Sequence, residues 1–358
     1  MSPFSPAPLP IGADARPTLF LVVDTEEEFD WSAPLSRSAT RVSAIRHVAK
    51  LQRLTDVYGL KPTYVIDYPV VTSPEAVAIL GELVAADRCS IGAHLHPWVN
   101  PPFREAVSPA NSYGCNLAPE LERSKIATLK RAIGDRLGID AAIYKAGRYG
   151  FGPSTARNLE SLGFDVDLSV NPHMDFTADG GPSFVEMDAR PFRFGRSRTL
   201  LGIPCSTGFV GAARSAGRPL HAFASTPAGL KTHLPGILAR LGVVNKVMLS
   251  PEGFTFGEMR ALARRLHGAG VRTFSLTLHS PSLAAGHTAY ARTGAEVERL
   301  LATIERFLEF FFATLGGVAE TPAEFHRRVC GPATPAGQVA SRADESRGLR
   351  RLRPVVPG

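Results

Sequence analysis

From Leu19 to Val23 the chain is apolar at every position, and it then stops abruptly at Asp24-Thr25-Glu26-Glu27-Glu28. A run of strand length with no polar alternation belongs in a strand covered on both faces, as in a parallel sheet or barrel. Side chains alternate along extended chain, so Asp24, Glu26 and Glu28 share one side if the extension continues. Carboxylates crowded at the end of a buried strand repel one another unless a cation or a proton lies among them. A solvated acidic loop and a metal or acid–base site fit this stretch equally well, and the later chain decides between them.

Behind that strand, strand-length and helix-length patterns alternate. Helical spacing is expected over 39–58, closed by Gly59, and over 74–87, with Ser73 as cap and Pro74 at the first helical position. Further helices are expected over 119–137, 154–162, 228–241, 255–267 and 296–315, and strands over 62–67, 89–96, 142–146, 164–170, 199–204, 245–250 and 273–279. Such alternation means a parallel α/β architecture. No GxGxxG follows the first strand, which argues against a dinucleotide fold. Polar residues gather where several strands end, and that is where a (β/α) barrel builds its active site. Residues 97–116 form a long Pro- and Asn-rich loop, and 171–198 an insertion carrying a hairpin. Residues 1–17 are expected as a disordered arm and 331–358 as a disordered basic tail, leaving a single domain over 18–330.

Much of the formal charge of +7 comes from Arg342, Arg347, Arg350, Arg351 and Arg353. The body is near balance and has no basic stripe with interleaved aromatics, so no nucleic-acid partner is expected. Cys89, Cys115, Cys205 and Cys330 are far apart with no CxxC pair, against a zinc knuckle or a disulfide framework. The Pro-rich N-terminus lacks the charged and apolar regions of a secretory signal, and no apolar run approaches a membrane span. The expected location is cytoplasmic, with no membrane partner; no oligomeric state is assigned.

His94 and His96, at i and i+2 on one strand, point the same way and can reach one ion. With Asp24 and Glu26 at another strand end they give one carboxylate, two imidazoles and an open position, the composition of a catalytic zinc site. His279 ends the last strand, and its natural role there is a general acid for a leaving amine. Lys145 and Arg148 follow another strand, where one of them can orient a catalytic carboxylate and hold it ionised. Asp165 and Asp167 are candidate supports for His279, or a solvated face. Phe29, Trp31, Trp98 and Tyr149 are candidates for an aromatic rim, or core.

These stretches, in this order, resemble the NodB-type polysaccharide deacetylases of carbohydrate esterase family 4 over residues 18–315. The resemblance implies a distorted (β/α)7 barrel, one domain with loop insertions. It also implies a divalent metal, usually Zn²⁺, and hydrolysis of an N-acetyl, sometimes O-acetyl, group on a glycan. By the family's motifs Asp24 is the base, Glu26, His94 and His96 are the metal ligands, and His279 is the acid. The chain departs from the pattern at three places. The histidine motif His94-Leu95-His96-Pro97 is two residues short, Lys145 stands where an Arg is usual with Arg148 nearby, and no Asp-Trp is evident around 165–172. The proportions resemble a divergent, cytoplasmic branch sometimes called WalW-like. The expected activity is metal-dependent removal of an acetyl group from an N-acetylated sugar or glycan precursor. A cyclic amide or ureide hydrolase of the allantoinase-like kind and a catalytically silent glycan-binding barrel are the alternatives.

Overall fold

The computed structural model describes residues 6–30, 33–197 and 199–331; the expected basic tail, but for Gly331, lies outside them, as does Trp31. Its strands are β1 (Ala7–Pro8), β2 (Thr18–Thr25), β3 (Thr63–Ile66), β4 (Ser90–Leu95), β5 (Ile143–Ala146), β6 (Val166–Asp167), β7 (Phe192–Phe194), β8 (Leu200–Gly202), β9 (Thr207–Val210), β10 (Asn245–Met248), β11 (Thr273–His279) and β12 (Val318–Ala319). One curled sheet runs β1-β7-β8-β6-β5-β4-β3-β2-β11, with β12 beside the start of β2. Every pairing from β8 through to β11 is parallel, and helices intervene in sequence, as alternating βα units require. This is the expected α/β fold, a distorted (β/α)7 barrel.

β2 is buried along its whole length because it serves two cores at once. Leu19, Leu21 and Val23 pack outward into the large cluster beneath the helices. Phe20 and Val22 point inward, with Val65, Ile143, Val166, Leu201 and Ile203. The strand period of two therefore carries Asp24 onto the same inward side as Phe20 and Val22. Phe325, from the helix Pro322–Cys330, joins the inner cluster, its ring 5.3 Å from that of Phe20.

Among the described residues the sheet does not close by a ladder. β9 and β10 form a separate antiparallel pair, and single hydrogen bonds join this pair to β11. Thr277 N–H donates to Leu249 O (3.0 Å) and Ser275 N–H to Ser206 Oγ (2.9 Å), while Leu249 N–H to Ser206 O (2.8 Å) extends the pair itself.

Several expectations need correction. The one helix expected over 228–241 is two short helices, Pro227–Lys231 and Leu234–Arg240, because Pro227 and Pro235 each start a new helix, and a third, Gly217–Ala224, precedes them where none was expected. The strand expected over 164–170 is only Val166–Asp167. The arm expected to be disordered is docked from residue 6 on: β1 pairs with β7, and Arg16 donates to Gly316 O and Gly317 O. The 97–116 loop is tied down by Lys125, whose buried ammonium donates to Pro97 O (2.9 Å) and Asn100 O (2.6 Å) and pairs with Glu105.

Candidate active site

Asp24 and His279 stand opposite each other because β11 pairs with β2 in the register that matches them. Lys145, on β5, reaches across the interior so that its Nζ lies 2.6 Å from both carboxylate oxygens of Asp24. Burial alone pushes the Asp24 carboxyl up, but Lys145, His94 and His279 outweigh it and hold its pKa at about 2. Burial likewise opposes the charge on Lys145, and Asp24 overrides it, keeping the ammonium above its ordinary value.

Glu26 comes one residue past the end of β2 and keeps the inward direction. Its Oε2 lies 3.5 Å from His94 Nε2 and 3.4 Å from His96 Nε2, all three residues being buried. The far nitrogens of both rings are engaged: His94 Nδ1 with Lys145 O (3.0 Å), His96 Nδ1 with Glu27 Oε2 (2.7 Å). Both Nε2 atoms therefore face Glu26. Burial pushes His96 below its ordinary pKa, towards the neutral ring that offers a lone pair. Donor atoms of Glu26, His94 and His96 lie within 4.8 Å of one another. One carboxylate and two imidazoles, none in a close hydrogen bond with another, are a donor set that fits a divalent cation of the zinc class.

Two further buried acids lie behind this set, and the sequence reading missed both. Glu27 points away from Asp24 and Glu26, and its N–H donates to Asp67 Oδ2 (2.8 Å). Asp67 Oδ1 in turn caps the short helix Tyr68–Thr72. Burial pushes the Glu27 carboxyl up to about 7 and that of Asp67 well above its usual range. Glu28, expected on the same side as Asp24 and Glu26, leaves the group because β2 ends at Thr25 and the alternation lapses. It accepts from Ser43 Oγ (2.8 Å) and Ala44 N–H (2.6 Å) instead.

The turn after β5 explains why Lys145 rather than Arg148 meets Asp24. Gly147 crosses His96 so closely that a Cβ would lie 2.3 Å from His96 Cδ2. Arg148 and Tyr149 follow with φ of 50° and 60°, left-handed values that cost non-glycine residues roughly 1–2 kcal/mol each. This tight turn directs Arg148 away from Asp24. Its guanidinium donates to Ser112 Oγ (2.6 Å) and Asp179 Oδ2 (3.0 Å) over the face of Tyr113.

His279 Nε2 is 3.8 Å from Asp24 Oδ2, and its Nδ1 is 2.7 Å from Glu252 Oε2. Glu252 also accepts from the His279 N–H (3.1 Å) and from Ser282 Oγ. Burial opposes the charge on His279, but Glu252 and Glu26 outweigh it and push the imidazole up to about 10. The expected supports do not fill this role. Asp165 is exposed, and Asp167 accepts from Ser169 Oγ (2.6 Å). Glu252 was findable by the rule that drew attention to the other residues, since Ser250-Pro251-Glu252 follows a strand end.

Asp24, Glu26, His94, His96 and His279 line one pocket of about 400 Å³. Tyr113, Tyr149, Phe176 and Tyr290 supply its aromatic walls, with Tyr149 stacked on Phe176 at 5.3 Å. Of the expected rim residues among those described, only Tyr149 lines the pocket. Trp98 stacks on His96 at 4.3 Å and Phe29 meets the same ring edge-on at 5.7 Å, so both brace a histidine rather than line the pocket.

No family model and no curated protein matches the sequence. Solved structures do match. One, from Mycobacterium smegmatis and described as a candidate polysaccharide deacetylase, is 14% identical over 91% of this chain and 94% of its own, with a TM-score of 0.53. Another so described, from Pseudomonas aeruginosa, is 14% identical over 87% and 89%, with a TM-score of 0.47. At such identity the likeness is one of fold. The chain shares the fold of that Mycobacterium smegmatis protein, in keeping with the resemblance its motifs carry.

Proposed function

We propose that this chain is a metal-dependent hydrolase that removes an acetyl group from an N-acetylated sugar or glycan precursor. What carries the proposal is the convergence on one pocket of a three-donor set, a carboxylate held by a buried ammonium, and a histidine held by a buried carboxylate. A divalent cation held by Glu26, His94 and His96 would supply Lewis acidity towards an acyl oxygen and a water. Asp24, ionised by Lys145, takes the proton of the attacking water. His279, protonated and oriented by Glu252, gives a proton to the departing amine. The aromatic walls suit the faces of a sugar ring, and the pocket's size suits one unit or a short glycan rather than a long polymer laid across a groove.

The test combines metal content with acetate release from a panel of acetylated amino sugars. The expected result is about one zinc or other divalent ion per chain, lost in His94→Ala, and turnover abolished in Asp24→Asn with the metal retained. Turnover that survives Asp24→Asn would sink the assignment of the base. A chain that takes up no added metal would sink the whole reading.

A further inference from the structure

Residues 189–251 contain nine Lys and Arg and not one Asp or Glu. In the fold this stretch includes the β9–β10 hairpin and the excursion between its two strands, residues 211–244, which forms the three short helices. Eight large apolar side chains are well exposed among the described residues, and four of them lie here: Phe223 (67%), Leu230 (56%), Ile237 (42%) and Leu241 (71%). Ile237 and Leu241 are spaced i, i+4, one face of one helix. At the base of the excursion are two adjoining concavities that share Arg214 and Arg265. Arg218 and His173 help line the first, of about 540 Å³, and Arg260 and Arg264 the second, of about 430 Å³. Of these arginines only Arg218 has a carboxylate partner among the described residues, Glu186.

Exposed aliphatic side chains beside uncompensated cations narrow what can cover this face. A second copy docking by two-fold symmetry would set like charges against each other. Single-stranded nucleic acid binds through successive aromatic stacking platforms, and of the four exposed side chains only Phe223 offers one. A bilayer with anionic headgroups accepts both features, the guanidinium groups at its phosphates and Phe, Leu and Ile at the acyl boundary. We infer that the 211–244 helices and the arginine concavities beside them form a docking surface for an anionic lipid bilayer. The sequence expectation of no membrane partner rests on the lack of a spanning segment, and no helix among the described residues is long and apolar enough to cross. Peripheral docking needs none.

Flotation of the purified chain with vesicles tests this, using phosphatidylglycerol–phosphatidylcholine against phosphatidylcholine alone. Two variants accompany it: Phe223→Ser/Leu230→Ser/Ile237→Ser/Leu241→Ser and Arg214→Glu/Arg260→Glu/Arg264→Glu. The Phe223→Ser/Leu241→Ser pair stands in if the first fails to reach the wild-type melting temperature. Binding about tenfold stronger to the anionic vesicles, weakened in high salt and by about tenfold in each variant, is the expected result. No flotation, or equal flotation with both lipids, overturns the proposal. So does undiminished binding by the serine variant, which would mean a generic polyanion site. A wild-type dimer that the serine variant splits, with no vesicle binding, would assign the face to a second copy.

Discussion

A buried carboxylate keeps its charge only if something nearby makes the charge cheaper than the proton, and Lys145 does this for Asp24. Because the folded Asp24 pKa is lowered, its contribution to stability is present above the unfolded value and is lost as pH falls towards about 2. Lys145→Met takes from that buried charge its hydrogen-bonded partner. The expected loss is about 3–5 kcal/mol by denaturant titration near neutral pH, together with an acid limb of activity shifted upward. Glu252 acts on the other side. With Glu252→Gln the imidazole of His279 loses its main counter-charge and titrates below its present value of about 10. The alkaline limb of the kcat profile should therefore move to lower pH with KM little changed; an unmoved limb would show that His279 is not the acid. Arg148 makes the opposite prediction, since it touches the pocket wall and not Asp24. Arg148→Ala should raise KM several-fold and leave kcat near its original value. The histidine pair was legible from the sequence because a strand's alternation is rigid. The choice between Lys145 and Arg148 was not, because it depends on a left-handed turn that two non-glycine residues do not advertise.

Among elements, the helices Pro119–Leu137 and Pro153–Ser161 are joined by a buried acid held by neutral donors. Glu122 accepts from Thr155 Oγ1 (2.5 Å) and Asn158 Nδ2 (2.9 Å), and burial pushes its carboxyl up to about 7. A carboxyl whose folded pKa exceeds its unfolded one binds more protons when folded, so stability falls as pH rises between the two values. Glu122→Gln removes that slope. Relative to wild type the variant should gain on the order of 3 kcal/mol between pH 4.5 and pH 7.5, read as the divergence of two melting curves taken across pH. Equal slopes would mean that Glu122 is ionised and compensated in the fold. Most of the helices were legible here, including Ser73 capping Pro74–Ala85 through Ala76 N–H. The excursion before β10 was not, because apolar spacing continues smoothly through Leu230, Leu234, Ile237 and Leu241 while the backbone breaks at His233, whose φ is 54°. Strand β9 was missed for a related reason: Thr207–Val210 is short, carries a glycine, and pairs antiparallel within a parallel fold.

At the scale of the whole molecule, the barrel has a seam and a donor set that a cation would close, and the two should act independently. The donor set spans from the end of β2 to β4 across β3, so a cation bound there would tie these parallel strands at their carboxyl ends. The seam lies elsewhere, where Ser206 Oγ accepts from Ser275 N–H and Ser275 Oγ donates to Pro204 O (3.0 Å). Ser275 is four residues before His279, roughly 13 Å along the strand. Added Zn²⁺ at a hundred times its dissociation constant should stabilise the folded state by about 2.7 kcal/mol, and His94→Ala should abolish that gain. Ser206→Ala leaves the buried Ser275 N–H without its acceptor and should cost about 1–3 kcal/mol. Since no side chain is shared between donor set and seam, the cost should be the same with and without metal, within about 0.5 kcal/mol. Four melting curves, wild type and Ser206→Ala with zinc and with chelator, decide it. A cost that grows when the metal is removed would mean that the seam and the site move together, and that the single hydrogen bonds at the seam set how open the pocket is.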